Sequence, residues 1–563
     1  MDFLENIFSN LERASGQAVL QEARSEGAVQ VTGAELRAQV ETARAFLRSA
    51  GLRKGDRCVL LARNSIRWVA LDLALMAEGA VVVPLYARQA VAELVGMMRD
   101  AGPRLICAGD ASLAEAVRGA WPASASAVPP IALFDEIFGS AQSAQAPTIA
   151  TPVNLSDADP VTIIYTSGTS GEPKGVVLNY GNITYMLGCT GARLDLLMAG
   201  YTGIESVFHY LPLCFAGSWI SLLSYLSRRS LVTLSTDLNK LQSEMQTAAP
   251  HYFLNVPTLL ERVRRGIEEN LATRGGTVAK IFTRAKAAYI PRQEAALDGR
   301  KNEQGGGGIW LAMARVAVFP TIRKRIGANL KVLFCGSAPL SRDTQLFFQM
   351  LGIPVLQVYG LTETTAICTM DDPRKVEPGW VGPAIPGIEM KLGDAAEILV
   401  RGPNIFPGYW NRPEETAKTL RDGWFHSGDQ GEVNANGNWR ITGRIKNLII
   451  LNSGHNIAPE PMEEKLLAAL PGAQQVVLIG NGRSFLVAIV IGDVAREGVA
   501  AAVESLNAEL PHYRRIHRFH IEREPLTIES GMLTANGKLR RDAIAARFAD
   551  QIEMFYREKS VSA

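Results

Sequence analysis

TIIYTSGTSGEPKGVVL, residues 162–178, joins two apolar runs through a loop of hydroxyls and glycines. Residues 161–165 are β-branched and aromatic, which predicts a buried strand, and a second apolar run closes the stretch at 176–178. Between them Thr166, Ser167, Thr169 and Ser170 supply hydroxyls, Lys174 supplies a cation, and Gly168 and Gly171 let the backbone approach a ligand closely. Such a loop offers N–H and O–H donors and one positive charge to a polyphosphate. The same residue types also gather in hairpin turns for purely local reasons. Composition alone therefore leaves a polar turn and a phosphate cradle both open. A Walker A loop is excluded, because that needs Gly-Lys-Ser/Thr opening a helix and Lys174 is followed by Gly175 and Val176.

On the N-terminal side, apolar spacing predicts helices over 33–50, 66–78 and 90–101, alternating with strands over 57–61, 80–85 and 104–108. This is the βαβ texture of a parallel sheet covered on both faces. Residues 121–160, rich in Ala, Ser and Pro around an apolar island at 131–138, read as a surface connection. On the C-terminal side, strands are expected over 206–213, 231–235, 252–256, 331–336 and 354–360. The last two run into GSAPLS and YGLTETT, loops that would wall a crevice at the carboxyl ends of the strands. Residues 261–308 combine helical periodicity, a charged middle and four glycines at 305–308, which suggests a flexible surface excursion. From Pro378 short strands and the turns Asn436-Gly437 and Gly402-Pro403 suggest a small β-subdomain. A distinct last unit (strand, helix, strand, strand, helix, strand) follows from about Lys446.

At 563 residues the chain exceeds what one core usually organises. A net charge of +2 gives no reason to expect a nucleic-acid partner. Cys58, Cys107, Cys189, Cys214, Cys335 and Cys368 lack the paired spacing of a zinc site or disulfide framework, so buried thiols in a reducing compartment are expected. The first sixteen residues do not read as a secretory signal, and the most apolar window, 68–87, is interrupted by Asp72 and Glu78. The expectation is a soluble cytoplasmic protein with no transmembrane segment, reversible membrane association being left open.

Five motifs in order resemble the adenylate-forming superfamily: YTSGTSGEPKG from Tyr165, VYGLTE from Val358, WFHSGD from Trp424, GRIKNLI from Gly443 and ANGKLRR from Ala535. The superfamily contains acyl-CoA synthetases, peptide-synthetase adenylation domains and luciferases, and the likeness covers roughly residues 32–541. Residues 448–466, PGYWNRPEET and NGRSFLVAIV look most similar to the long-chain fatty acyl-CoA synthetases. The resemblance implies an α/β fold in two parts. Residues 1–445 would form a large domain of doubly wound mixed and parallel sheets with a β-subdomain, and residues 446–563 a small mobile α+β domain. It also implies ATP-dependent activation of a medium- to long-chain fatty acid to acyl-AMP with release of pyrophosphate, then transfer to CoA. Alternatives are a ligase loading an acyl carrier protein and a non-catalytic acyl-nucleotide sensor.

By the same resemblance, Thr166, Ser167, Gly168, Thr169, Ser170, Gly171 and Lys174 would hold the β- and γ-phosphates. Ser337, Ala338, Pro339, Tyr359 and Gly360 would frame the adenine, with the tyrosine ring on the base. Thr362 would contact the α-phosphate, Glu363 would hold Mg²⁺, and Asp429 with Arg444 would take the ribose hydroxyls. Lys538 would be the catalytic cation, Lys446 the hinge, and Gly454 a wall of the CoA tunnel. Phe215, standing where many relatives have His, and Trp219 mark the expected acyl pocket. His455 stands where relatives often have Lys.

Overall fold

A computed structural model describes residues 3–24, 27–123, 127–139, 150–167, 173–297, 299–300, 308–534 and 537–557. Its first sheet has six strands in the order Ile131–Leu133, Leu105–Ala108, Arg57–Ala62, Val81–Tyr86, Pro160–Ser167, Pro173–Asn179. The first five run parallel, and the last pairs antiparallel with its predecessor. Runs such as RCVLLA and VVVPLY suit strands buried on both faces. Helix Ile66–Ala77 starts where Ser65 accepts from the Trp68 N–H, and Val91–Ala101 stops at left-handed Gly102.

The second sheet has eight strands: Thr369–Met370, Val355–Tyr359, Val332–Cys335, Tyr252–Asn255, Glu205–His209, Ser230–Leu234, Ala18–Arg24 and Gly27–Thr32. Its inner six are parallel and its two edge strands antiparallel. An apolar core unites elements of both sheets through helix Ile66–Ala77 and helix Ala216–Leu226. A third, antiparallel sheet sets Glu397–Arg401, Leu420–Arg421 and Trp439–Arg444 against the long strand Trp424–Val433, with Glu389–Leu392 at its edge. The short turn Ile445–Asn447 leads to the last unit, a three-stranded sheet of Ala473–Ile479, Leu486–Gly492 and Ile516–Glu522 with helices Glu460–Ala469 and Arg496–Ala508. The fold class is thus α/β, with mixed and parallel sheets followed by a small α+β unit.

Two expectations are corrected. The island at 131–138 is an edge strand followed by helix Phe134–Gly139, and Phe134, Ile137 and Phe138 are buried in the core, so the local Ala/Ser/Pro texture concealed a sheet element. Residues 261–297 form helices Pro257–Arg274 and Gly276–Leu297; Ile281, Phe282 and Ala285 pack on a second core rather than loop freely, while 301–307 lie outside the described residues. Burial of one apolar stripe outweighs the charged middle.

Three sheets converge beneath one spot. Ile164, Val176 and Leu178 of the hairpin, Tyr359 of the second sheet, and Ile398, Val400, Phe425 and Trp439 of the third form a single apolar cluster. Each large side chain so buried contributes on the order of 2 kcal/mol, enough to hold the overlying loops in fixed relation.

Candidate active site

The opening stretch is a hairpin, with Thr166 opposite Lys174 and Ser167 opposite Pro173. Its tip, carrying Gly168, Thr169, Ser170 and Gly171, lies outside the described residues. The arms are anchored by the PGYWNRPEET segment. Trp410 N–H donates to Gly175 O at 2.7 Å, and Val177 N–H donates to Gly408 O at 3.2 Å. Below, Asp100 gathers the pieces: its Oδ2 accepts from Tyr165 Oη at 2.7 Å, its Oδ1 pairs with Arg412 Nη1 at 3.0 Å, and its carbonyl accepts from Trp410 Nε1 at 3.2 Å. Lys174 forms an ion pair with Glu415 and lies 5.4 Å from the Tyr409 ring centroid. Lys174 and then Lys418 draw the Glu415 carboxyl down to about 2.

Facing the hairpin, strands Val332–Cys335 and Val355–Tyr359 end side by side. Ser337, in the left-handed region at φ 73°, Ala338 and Pro339 follow the first and are exposed at the lip. After Tyr359 the chain doubles back through the turn Thr362–Thr364 and two further left-handed residues, Thr365 and Ala366, at φ 50° and 82°. Such strain concentrates where a site demands it. Gly360 is required there, since a Cβ would lie 2.2 Å from the Ala366 carbonyl oxygen. Half-buried Glu363 has its Oε1 held by Tyr409 Oη at 2.8 Å.

The third sheet supplies the next wall. Asp429 and Arg444 are register partners on adjacent strands. Asp429, 2% exposed, accepts from Tyr359 Oη at 2.9 Å and pairs with Arg444 Nε at 2.8 Å. Burial pushes its carboxyl up, while Arg444, Tyr359 and Lys538 oppose the rise. For Arg444, burial works against the charge but Asp429, Tyr359 and Glu363 together hold the guanidinium above its ordinary range.

Lys538 reaches this wall from the last unit. Its turn is built by Thr534, whose N–H donates to Lys538 O at 2.8 Å and whose Oγ1 accepts from Lys538 N–H at 3.0 Å, with Gly537 at φ 73°. Arg540 Nη2 ties the turn to Glu93 Oε1 at 2.8 Å on helix Val91–Ala101. Lys538 is open to water, yet protein atoms crowd its ammonium. That desolvation, then repulsion by Arg444, lowers its pKa to about 8 against the pull of Asp429 and Glu363. Lys446, in the turn Ile445–Asn447, is lowered by burial first and by Lys174 next.

Lys174, Tyr359, Glu363, Asp429, Arg444, Lys446 and Lys538 are thus gathered around one crevice over the carboxyl ends of two sheets. Gly454 is not among them. It occupies the exposed turn between strands Ile449–Ile450 and Asn456–Ile457, at φ 81° with open space where a Cβ would be. Phe215 is half-buried with its ring 5.8 Å from Tyr86. Trp219 is a core residue, 1% exposed and donating from Nε1 to Asp72 Oδ2 at 2.8 Å. Sequence reasoning missed Asp100, Tyr409 and Glu415, although the last two lie inside PGYWNRPEET, a motif quoted without a task for its polar residues.

A crevice at the carboxyl ends of α/β strands, lined by a buried carboxylate paired with Arg444 and by further lysines, defines a protein built to hold a polar, anionic ligand. Residues 10–410 match the AMP-binding enzyme family and residues 446–560 match the AMP-binding enzyme C-terminal domain. The chain belongs to the AMP-binding enzyme family. It is 29% identical to the long-chain-fatty-acid--CoA ligase FadD15 of Mycobacterium tuberculosis (strain ATCC 25618 / H37Rv), across 94% of this chain and 92% of that one. It is 26% identical to long chain acyl-CoA synthetase 3 of Arabidopsis thaliana, across 91% and 84%. In fold it is similar to ATP-bound MatB from Rhodopseudomonas palustris, with a TM-score of 0.72 at 24% identity, covering 98% of this chain and 99% of that one.

Proposed function

We propose that the chain is an AMP-forming acid–thiol ligase that activates a medium- to long-chain fatty acid with ATP and passes the acyl group to CoA. A carboxylate is a poor acyl donor at neutral pH. In the first half-reaction a carboxylate oxygen bonds to the α-phosphorus of ATP and the bond from that phosphorus to the α,β-bridging oxygen breaks, releasing pyrophosphate and leaving acyl-AMP. In the second, the CoA thiol attacks the acyl carbon, its proton is lost, and AMP leaves. The protein's contribution is alignment and stabilisation of charge building on phosphate.

In this reading the hairpin tip with Thr166, Ser167, Gly168, Thr169, Ser170, Gly171 and Lys174 grips the β- and γ-phosphates, Lys174 exchanging Glu415 for the ligand. Ser337, Ala338, Pro339, Tyr359 and Gly360 frame the adenine, Thr362 meets the α-phosphate, and Asp429 with Arg444 takes the ribose hydroxyls. Magnesium fits as part of the ATP it arrives with. Glu363 presents hard carboxylate oxygen, Tyr409 holding only Oε1, and no group of three metal-ligating side chains stands among the described residues, so phosphate oxygens would complete the shell. We read residues 1–445 and 446–563 as two domains hinged at Lys446, in a cytoplasmic setting. Gly454 would line the thiol path only in a second orientation. Phe215 beside Tyr86 is the better candidate for acyl contact than sequestered Trp219.

The observation that carries the reading is Lys538, brought from the last unit into the field of Arg444, Asp429 and Glu363. Lys538→Ala is expected to lower acyl-AMP formation by about 10²–10³-fold, measured as pyrophosphate release, while supplied acyl-AMP and CoA still yield thioester at near the wild-type rate. Equal loss in both half-reactions overturns the role.

A further inference from the structure

Residues 261–326 carry fourteen Lys and Arg against six Asp and Glu, a net +8 in a chain whose total is +2. This basic excess belongs to four helices: Pro257–Arg274, Gly276–Leu297, Gly308–Ala317 and Phe319–Ile326. The third of them, GIWLAMARVA, is apolar all round except for Arg315. A helix of that character is normally buried. Here only one side is: Ala314 is buried, and Trp310 and Leu311 pack on the core beneath. Ile309, Met313 and Val316, spaced i, i+4, i+7 on the opposite side, are 65%, 41% and 82% exposed. Among the described residues no large apolar side chains are more exposed than Val316 and Ile309. Basic groups border them. Arg284 lies over the Trp310 ring at 4.4 Å, Arg315 adjoins Val316, and Lys280 stands two residues from exposed Val278 on the neighbouring helix.

We propose that this face docks on an anionic phospholipid bilayer, setting Ile309, Met313 and Val316 among the acyl chains with Lys280, Arg284 and Arg315 at the headgroups. The charge decides the occupant. A second copy would set Lys280, Arg284 and Arg315 against their own counterparts in an isologous contact, whereas an anionic leaflet is complementary to them. Ten helical residues span about 15 Å, too short to cross a bilayer but suited to lie in its interface. No helix among the described residues is long and apolar enough to span a membrane. That the bilayer also supplies the acid, an amphiphile that partitions into it, rests on the function proposed above.

Flotation of the full chain with vesicles of phosphatidylcholine alone, and with about 30% phosphatidylglycerol, tests the docking without ATP or acid present. Binding is expected only with phosphatidylglycerol, released by 0.5 M salt. Ile309→Glu/Val316→Glu should abolish it while leaving the rate with a soluble short-chain acid unchanged. The milder Ile309→Ser/Val316→Ser should weaken it at an unaltered Tm. Lys280→Gln and Arg315→Gln should each lower partitioning about fivefold. Absence of wild-type binding to anionic vesicles overturns the proposal, as does equal binding by the apolar variants. A wild-type dimer in light scattering that the glutamates dissociate, with no vesicle binding, assigns the face to self-association instead. Vesicle binding with no effect of the bilayer on the rate with a long-chain acid keeps the docking and removes the delivery role.

Discussion

Two buried aspartates invite comparison. Asp429 and Asp72 are 2% and 1% exposed, and each accepts a hydrogen bond from an aromatic side chain, Tyr359 Oη at 2.9 Å and Trp219 Nε1 at 2.8 Å. Burial pushes both carboxyls up. Beyond that they diverge. Asp429 stands on a strand facing the crevice, with Arg444 on its second oxygen and the Lys538 ammonium within its field. Asp72 stands in the middle of the core helix Ile66–Ala77, and its Oδ1 has no hydrogen-bond partner among the described residues. A perturbed carboxyl beside an aromatic ring therefore does not by itself mark a site. The paired cation and the open crevice do.

The core member of the pair offers the larger energetic effect. Burial raises the Asp72 carboxyl from the usual 3.8 to about 7, against the opposing Trp219 bond. Between those values the unfolded chain has released the proton and the folded one has not, so stability falls as pH rises from about 4 to about 7 and then levels off. At 1.36 kcal/mol per pH unit the swing is up to about 4 kcal/mol. Asp72→Asn removes the titration and leaves an oxygen for Trp219. Urea midpoints at pH 5 and pH 8 should therefore move in the variant's favour at the higher pH, with ligase kinetics unchanged. A stability gap that is the same at both values breaks the contrast.

On the other side, Asp429→Asn keeps the shape but removes the charge that would accept two ribose hydroxyls and balance Arg444. Loss of a charge-assisted hydrogen bond, about 1.5–3 kcal/mol, should raise KM for ATP roughly 10- to 100-fold, with little change for supplied acyl-AMP turnover beyond weaker binding. An ATP dependence within twofold of wild type removes the ribose assignment.

Much of this contrast is legible in the sequence. The hairpin, the two loops at strand ends and the Ser-Gly-Asp of residues 427–429 could be read because each is a short local pattern, and their order along the chain tied them together. Asp72 was visible only as an interruption in an apolar window; nothing local says that Trp219, 147 residues away, completes it. Strand Ala18–Arg24 has no local signature for the same reason, its parallel partner being Ser230–Leu234. Asp100 accepts from Trp410, 310 positions away. Lys174 could be named as a phosphate cation, but its resting partner Glu415 depends on where helix Pro413–Thr419 lands.

The smallest effect probes how Lys538 comes to face Asp429 at all. The turn bearing Lys538 is tied to helix Val91–Ala101 by Arg540 and Glu93, whose side chains are 29% and 28% exposed. A partly exposed pair is worth about 0.5–1 kcal/mol, so Glu93→Gln should cost acyl-AMP formation only about two- to fivefold. If the last unit moves between two orientations, the loss falls on the half-reaction that needs this one, and thioester formation from supplied acyl-AMP is unchanged or faster. Arg540→Gln should give the same loss and the double variant no more, since the two side chains serve one contact. Raising ionic strength should erode the wild-type advantage over the variants. Asp72 lies outside this linkage, so Asp72→Asn in the Glu93→Gln background should leave the ratio of the two half-reactions where Glu93→Gln alone puts it. A parallel fall in both half-reactions would instead mean that the pair supports the fold and does not select an orientation.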